Sequence, residues 1–217
     1  MSKHNPFELE NIPADSNSRT LETYEKLYQE YAERTEGDIP EHVQIWLERA
    51  LAWLSTNARI LEIGSGTGRD ASYMADRGYK VQCSDATDGF LEMIQARGLS
   101  TRKLNILTDG IEETQDLVLA NAVLLHVDRE QFKVAVQKVH DALDYSGRFA
   151  FTLVKGEGER WTDHKLGEPR YFCYWHEDTV GDILLDAGFS EYEYFEDETG
   201  WLSFVATKDP EDSCGLS

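Results

Sequence analysis

A glycine-rich segment that directly follows a short apolar stretch restricts the fold of this chain more than any other feature. Residues 60–63 (Ile-Leu-Glu-Ile) predict a buried strand, and Gly64, Gly66 and Gly68 follow it at alternate positions. A helix is predicted to begin near Arg69, where apolar residues resume at helical spacing. Such a turn exposes backbone N–H groups, and its glycines carry no Cβ that would block a ligand. The segment therefore predicts a ligand site at the end of a strand.

The spacing of the glycines narrows the class of ligand. A dinucleotide-binding turn has the pattern Gly-x-Gly-x-x-Gly, and Arg69 stands where its third glycine would be. A phosphate-binding loop of the Walker type needs Gly-Lys followed by Ser or Thr, whereas Gly68 is followed by Arg69 and Asp70. The segment fits neither of these two ligand classes.

The pattern Glu62-x-Gly64-x-Gly66-x-Gly68 resembles motif I of the class I S-adenosylmethionine (SAM) methyltransferases. The resemblance implies an α/β three-layer sandwich with a Rossmann-like, mostly parallel sheet whose last strand is antiparallel. Strand and helix patterns alternate between residues 58 and 190, which agrees with that fold. The resemblance also implies that the acidic residue organises the turn and that the turn binds the methionine part of SAM. The residues implied at this site are Glu62, Gly64, Ser65, Gly66, Gly68 and Arg69.

An acidic residue ends the second predicted strand, which covers residues 79–85. Asp85 lies about twenty residues after the glycine turn, the interval at which a second parallel strand places its end beside the first. Its carboxylate can accept hydrogen bonds from both ribose hydroxyls of a nucleoside, and Ala86 beside it is assigned to the same site. Capping of the following helix is the alternative role for Asp85, and the two roles are compatible.

The third strand is predicted at residues 103–107, and the family resemblance implies a polar side chain near the adenine of SAM at its end. Asn105 stands at the matching position, with Ile106 beside it. An amide oxygen can accept a hydrogen bond from the exocyclic amine of adenine. Asp109 is the alternative if the register is shifted.

Residues 116–127 resemble motif IV of the same family, in which a strand end faces the sulfonium of SAM and the substrate. The resemblance implies that Ala120 and Asn121 line the reaction centre. His126 is a candidate general base, because an unperturbed histidine has a pKa of about 6.5. A hydrogen-bonded structural histidine is the alternative. The segment lacks the Asn/Asp-Pro-Pro-Tyr/Phe motif of DNA amino-methyltransferases and the Pro-Cys nucleophile of cytosine-C5 enzymes, which disfavours a nucleic-acid base as acceptor.

Two helices are predicted before the glycine turn. The first covers residues 20–33, and its apolar stripe consists of Leu21, Tyr24, Leu27, Tyr28 and Tyr31. The part around Tyr28 and Tyr31 resembles a segment that folds over the cofactor as a lid in many small-molecule methyltransferases, and both tyrosines are assigned to substrate binding. Packing of this stripe on the core is the alternative. The second helix, which follows Pro40, has core-facing residues at helical spacing and leads into the first strand.

A loop of mixed character follows the fifth predicted strand, which covers residues 148–154 after a turn at 144–147. Ligands of open α/β sheets bind outside the carboxyl ends of the strands, so this loop borders the predicted site. Its basic residues are Lys155, Arg160, Lys165 and Arg170, and aromatic residues such as Tyr171 accompany them. We expect glycines in the loop to permit movement and Arg160, Arg170 and Tyr171 to bind a substrate with a carboxylate or a flat ring. A salt-bridged surface loop is the alternative.

Composition bounds the remaining possibilities. The chain has 217 residues, which favours one domain, and its 41 acidic against 21 basic residues give a net charge of −20, which disfavours a nucleic-acid partner. Three widely spaced cysteines without paired metal spacing fit a reduced cytoplasm and predict no metal site. We expect no membrane span and no signal segment. The predicted organisation is a flexible arm at 1–19, a methyltransferase domain at 20–207 whose helical lid covers 20–55, and an acidic tail at 208–217.

The sequence thus predicts a SAM-dependent methyltransferase that acts on oxygen or nitrogen of a small molecule and yields S-adenosylhomocysteine (SAH). Two other functions stay open: a protein-directed methyltransferase or regulatory SAM-binding module, and an enzyme that uses SAM for another reaction type. The identity of the acceptor and the oligomeric state do not follow from the sequence.

Overall fold

The computed structural model describes residues 16–210, which form a central sheet with helices on both faces. The strands are β1 (Ile60–Ile63), β2 (Val81–Asp85), β3 (Ser100–Lys103), β4 (Gln115–Ala120), β5 (Leu143–Val154), β6 (Glu159–Thr162), β7 (Arg170–Cys173), β8 (Phe189–Glu196) and β9 (Trp201–Lys208). The helices are α1 (Ser16–Thr35), α2 (Glu41–Leu51), α3 (Arg69–Ala75), α4 (Asp88–Ala96), α5 (Arg129–Ala142) and α6 (Glu177–Asp186), with a 3₁₀ turn at Leu124–His126.

The main sheet has seven strands in the order β3-β2-β1-β4-β5-β9-β8. The first five strands in this order pair in parallel, and β9 pairs antiparallel with both β5 and β8. The carboxyl ends of β1, β2 and β4 therefore meet at one edge of the sheet. This arrangement confirms the predicted mostly parallel, Rossmann-like sheet with an antiparallel end.

Apolar residues cover both faces of the sheet, as parallel strands require. On one face α2, α3 and α4 pack through residues such as Trp46, Met74 and Ile94, all of which are buried. The indole N–H of Trp46 donates to the carbonyl of Phe204 at 3.0 Å and so fixes α2 beneath β9. On the other face α5, α6 and the β6–β7 pair cover the aromatic residues of β5. The lid prediction for 20–55 is thus wrong for α2, which belongs to the core.

Several predicted boundaries differ from the structure. Helix α1 begins at Ser16, so part of the predicted arm is helical; residues 1–15 and 211–217 lie outside the described residues. β3 ends at Lys103 rather than at 107, because Leu104 and Ile106 are buried in a turn that the Asp109 carboxylate closes by accepting the Asn105 N–H at 2.8 Å. The alternation of apolar residues thus correctly predicts that Leu104 and Ile106 are buried, but it wrongly predicts that they belong to a strand.

The segment between β5 and α6 also differs from the prediction. β6 and β7 form a separate two-stranded antiparallel sheet within the loop that was expected to move. The predicted turn at 144–147 is an irregularity inside β5, where pairing with β4 jumps from Leu143 to Arg148 and Ser146 has φ +59°. Among residues 16–210, no helix combines the length and the apolar character needed to cross a membrane.

Candidate functional site

A cavity of about 100 Å³ lies at the carboxyl edge of β1, β2 and β4, beneath α1. Predicted site residues that line it are Tyr31, Gly64, Gly66, Asp85, Ala86, Asn105, Ile106, Asn121 and His126. Residues that the sequence reading did not assign to a site also line it: Asn17, Thr20, Leu21, Tyr24, Ile63, Thr87, Phe90, Leu104, Ala122, Val123 and Val127. The structure thus brings together the ends of three strands and one helix around a single space.

The glycine turn adopts a backbone conformation that L side chains rarely accept. Gly64, Gly66 and Gly68 have φ of +64°, +54° and +74°. A Cβ on Gly64 would lie 2.4 Å from a methyl group of Val123, whereas a Cβ on Gly66 would meet only the Tyr31 ring, at 3.9 Å. Packing against Val123 therefore requires a glycine at position 64, whereas the absence of a side chain at Gly66 keeps part of the cavity open.

Asp85 connects the glycine turn to the loop after β2. One carboxylate oxygen accepts the N–H of Gly66 at 3.0 Å, and the other accepts the N–H of Thr87 at 2.9 Å. Thr87, not Asp85, is the N-cap residue of α4. Burial raises the pKa of Asp85, and these backbone hydrogen bonds oppose the rise. A carboxylate can accept about four hydrogen bonds, so Asp85 retains acceptor capacity at the cavity.

Glu62 is buried behind the turn, and its Oε2 has no hydrogen-bond partner among residues 16–210. Burial, together with the negative charges of Asp70 and Asp85, raises the pKa of Glu62 to about 8. The backbone carbonyl of Glu62 accepts the hydroxyl of Ser84 at 2.8 Å. A buried carboxylate oxygen without a partner indicates a missing donor or cation.

Asn121 stands at the centre of a hydrogen-bond network at the end of β4. Its amide N–H donates to Asp70 at 2.6 Å, and its oxygen accepts the hydroxyl of Thr152 at 2.8 Å. The same hydroxyl accepts the backbone N–H of Ala122 at 2.8 Å. Ala122 has φ +57°, a strained conformation for a residue with a Cβ. The network holds this strained residue at the wall of the cavity.

Both ring nitrogens of His126 are hydrogen-bonded. Nδ1 lies 2.6 Å from the carbonyl of Tyr171, which can only accept, so Nδ1 carries the proton and Nε2 accepts the Tyr24 hydroxyl at 2.9 Å. Burial, together with the charges of Arg170 and Lys165, lowers the pKa of His126 to about 3, although the Tyr171 hydrogen bond opposes this shift. The ring is therefore neutral and has no free lone pair. The prediction of a general base at His126 does not fit this geometry, and the structural alternative does.

Asn105 lines the cavity, and its side-chain amide makes two hydrogen bonds. Its amide N–H donates to Asn17 of α1 at 2.9 Å, and its oxygen accepts the N–H of Leu107 at 3.1 Å. Asp109, the alternative candidate, faces the backbone N–H of Asn105 and does not line the cavity.

Some predicted cofactor residues support the turn from behind and do not line the cavity. They are Glu62, Ser65, Gly68, Arg69 and Ala120. Ser65 and Ala120 are buried, and the Arg69 side chain donates to the neighbouring Asp70 at 3.1 Å. A Cβ on Gly68 would lie 3.3 Å from Ile94 of α4.

The alternation of β7 separates the predicted substrate residues. Arg170 and Phe172 lie on the side of α1 and His126, with the Phe172 and His126 ring centroids 4.6 Å apart. Tyr171 points to the opposite side and packs against Trp161 in the core, so its prediction as a substrate contact is wrong. The positions of the basic residues in the sequence did not show that this segment is a strand, so they could not show which side chains share a face.

Two further predicted substrate residues lie away from the cavity. Arg160 on β6 covers the ring of Tyr174, with 4.3 Å from its guanidinium carbon to the ring centroid. Tyr28 packs on α4, where a Cβ on Gly89 would be only 2.5 Å from its ring. Tyr31 lines the cavity, and its role as a substrate contact stays a prediction.

Helix α1 closes the cavity and is joined to the β6–β7 hairpin. The Thr23 hydroxyl donates to the carbonyl of Pro169 at 2.8 Å, and the N–H of Tyr171 donates to the Thr20 hydroxyl at 3.1 Å. The helix is kinked at Leu27, whose φ of −123° and ψ of 24° are not helical. Leu21 and Tyr24 share the stripe of Tyr31, so the sequence pattern contained the signal for them.

Comparisons with known proteins agree with this architecture. Residues 31–193 match the model of a protein family described as "Methyltransferase domain". A Staphylococcus carnosus protein described as an uncharacterized methyltransferase is 20% identical over 205 residues, which cover 86% of this chain and 98% of the relative.

Solved structures show the same fold at low sequence identity. The 1,6-didemethyltoxoflavin-N1-methyltransferase of Burkholderia thailandensis, solved with bound 1,6-didemethyltoxoflavin and SAH, has a TM-score of 0.71 and 19% identity, covering 94% of this chain and 93% of the other. The magnesium protoporphyrin IX methyltransferase of Synechocystis PCC 6803, solved with SAM, has a TM-score of 0.70 and 15% identity, covering 92% and 100%.

Proposed function

The chain belongs to the methyltransferase domain family, and from this premise we propose that it transfers a methyl group from SAM to oxygen or nitrogen of a small molecule. The observation that carries the proposal is the cavity between the glycine turn and Asp85, covered by α1. The two solved relatives named above were crystallised with SAM or SAH, and their names specify small-molecule acceptors.

The residues around the glycine turn fit the chemistry of SAM. Glu62 and Asp70 lie behind the turn rather than in the wall of the cavity, and their acidic groups favour the cationic end of an amino acid bound at the turn. The remaining acceptor capacity of Asp85 suits ribose hydroxyls, and Asn105 offers an amide for the adenine. A Cβ at Gly66 would occupy the cavity itself. We therefore assign these residues to SAM.

SAM supplies a methyl group that is already activated by its attachment to a sulfonium. The protein's task is then to align the acceptor with that group and to exclude water. Asn121 and the strained Ala122 form a rigid wall for alignment, since their hydrogen bonds leave little freedom. Helix α1 and the hairpin exclude water from above. An amine acceptor that is neutral when it reacts needs no protein base, which agrees with the fully bonded His126.

We also infer from the size of the cavity that α1 moves during the reaction. Its volume of about 100 Å³ is well below the ~300–1,000 Å³ of typical ligand pockets. The kink at Leu27 divides α1 into two parts, and the N-terminal part carries Asn17, Thr20 and Tyr24. We therefore assign the lid role to α1 within a methyltransferase domain at 20–207.

Calorimetric titration with SAM and SAH tests this proposal. We expect micromolar binding by the wild-type protein and at least about tenfold weaker binding by Asp85→Asn, because charged hydrogen bonds contribute about 1.5–3 kcal/mol. Asp88→Asn is the matched control, since Asp88 pairs with Lys103 at the surface, 2.7 Å away. Absence of binding to the wild type, or equal loss in both variants, contradicts the proposed site. Detection of SAH rather than methylthioadenosine after incubation with acceptors then separates methyl transfer from other uses of SAM.

A further inference from the structure

Arg170 is a buried cation beside the cavity without a counter-ion. Arg170 is only 5% exposed, and its guanidinium forms no ion pair within residues 16–210. One guanidinium nitrogen donates to the Tyr24 hydroxyl at 3.0 Å, and Nε has no hydrogen-bond partner in the same part of the chain. Burial of an unpaired charge is unfavourable, so such a group in a native structure indicates an absent anion.

A second cation lies on the same side of the cavity. Lys165, in the turn between β6 and β7, places its ammonium 4.4 Å from the centroid of the Tyr31 ring. It too forms no ion pair with any described residue. Burial lowers the pKa of Lys165, and the nearby positive charge of Arg170 lowers it further. Tyr24 and Tyr31 both line the cavity, so each cation stands one side chain away from it.

Two other cations of this region have acidic partners. Lys155 pairs with Glu196 at 2.7 Å, and Arg129 lies 3.9 Å from Glu159. In a chain of net charge −20, acidic partners are abundant. Arg160 on β6 also forms no ion pair among residues 16–210, but its side chain is exposed to solvent, whereas Arg170 is buried and Lys165 is half-buried.

We propose that the methyl acceptor carries an anionic oxygen group, a carboxylate or a phosphate, which binds between Arg170 and Lys165 beside the rings of Tyr24 and Tyr31. The proposal rests on the proposed function and specifies its substrate class. Arg170 supplies a planar pair of donors that matches such a group, and Lys165 supplies a mobile charge near the opening. The anion enters while α1 is open and neutralises both cations when α1 closes.

A purely structural role for Arg170 predicts a different outcome. In that case the guanidinium would only position Tyr24, and its removal would change the docking of α1 without any change in preference for charged ligands. Comparison of an anionic ligand with its neutral isostere separates these two roles.

The test is a calorimetric titration of the SAH-saturated protein with benzoate, phenyl phosphate and the neutral benzamide. We expect the wild type to bind one or both anions at least about tenfold more tightly than benzamide, because one hydrogen bond between charged groups contributes at least that much. Arg170→Gln and Lys165→Gln should each reduce this preference by about tenfold. Lys155→Gln, which removes a cation already paired with Glu196, should leave it unchanged. Preference for benzoate indicates a carboxylate acceptor, and preference for phenyl phosphate indicates a phosphate.

The proposal is overturned if the wild type binds neither anion, or if it binds the anions and benzamide equally. It is also overturned if Lys155→Gln reduces the preference as much as Arg170→Gln and Lys165→Gln do. Lys165 is only half-buried, so its variant remains informative if Arg170→Gln fails to fold. SAH affinity is measured first in every variant and is expected to stay within about threefold of the wild type, because neither cation contacts the glycine turn. If the wild type does not bind SAH, the proposed function fails, and the same titrations without SAH still report on the anion subsite.

Discussion

The hydroxyl of Tyr24 lies 2.9 Å from Nε2 of His126 and donates its proton to that nitrogen. The direction is fixed because the neutral His126 ring carries its proton on Nδ1, so Nε2 can only accept, and the same Tyr24 hydroxyl accepts from Arg170. His126 in turn donates from Nδ1 to the carbonyl of Tyr171. A single chain of hydrogen bonds thus connects α1, the 3₁₀ turn after β4, and β7.

Tyr24→Phe should loosen the closed position of α1. The change removes one hydrogen bond to His126 and one from Arg170, each of which contributes about 1 kcal/mol or more. We expect amide hydrogen exchange in residues 16–26 to become roughly tenfold faster, with little change in the strands of the main sheet. Tyr28→Phe is the control, because its hydroxyl only accepts from the exposed Gln29 side chain. Unchanged exchange in Tyr24→Phe would show that this chain of hydrogen bonds does not hold the helix.

His126 should remain neutral throughout the range in which histidines usually titrate. Its folded-state pKa of about 3 lies below the ordinary value of 6.5, so protons bind preferentially to the unfolded chain between these limits. The contribution of His126 to the free energy of unfolding is therefore complete above about pH 6.5 and is lost as the pH falls toward 3. NMR signals of the His126 ring should stay constant from pH 8 to pH 5. A ring that titrates near pH 6.5 would restore the general-base hypothesis.

Gly66→Ala should impair ligand binding more than folding. The new Cβ meets only the Tyr31 ring at 3.9 Å, and the φ of +54° costs about 1 kcal/mol for a residue with a Cβ. Gly98→Ala is a matched control, because Gly98 has φ +78° and open space around it, outside the cavity. Thermal unfolding should show similar losses of stability in both variants. Only Gly66→Ala should weaken SAH binding, and an equal effect of Gly98→Ala would contradict the placement of the ligand.

Binding of SAM should release a proton near neutral pH. Burial raises the pKa of Glu62 to about 8, so its carboxyl is mostly protonated at pH 7, and a cationic amino group beside it favours the charged form. Calorimetry in buffers of different ionisation enthalpy measures this release, which should be absent in Glu62→Gln. In the free protein the raised pKa means that the stability contributed by Glu62 is complete below about pH 4.5 and is lost as the pH rises through 8. Glu62→Gln should therefore gain stability relative to the wild type as the pH rises from 6 to 9.

Local patterns determined the part of the fold that could be predicted. The strand before the glycine turn and α3 after it follow from apolar spacing and turn residues, and both are present. β3 was placed too late because Leu104 and Ile106 are buried without belonging to the sheet. The hairpin was missed because its strands are four residues long and are stabilised by contacts with α1.

The position of a predicted site residue follows from the sequence where the backbone alone places it. Asp85 and Asn121 follow directly from strand ends, and both line the cavity. Arg170 and Tyr171 are adjacent in sequence, yet one faces α1 and the other the core, which depends on the register of a strand that the sequence did not reveal. The hydrogen bonds of His126 come from α1 and β7, far away in the chain, so its neutral state required the tertiary structure.

One kinked helix covers both the space assigned to SAM and the cations assigned to the acceptor. Neither reactant can then exchange with solvent while the helix is closed. The consequence is a kinetic one: both reactants must be present together in a ternary complex before methyl transfer, and both products wait for the same opening. Turnover is therefore expected to be limited by product release.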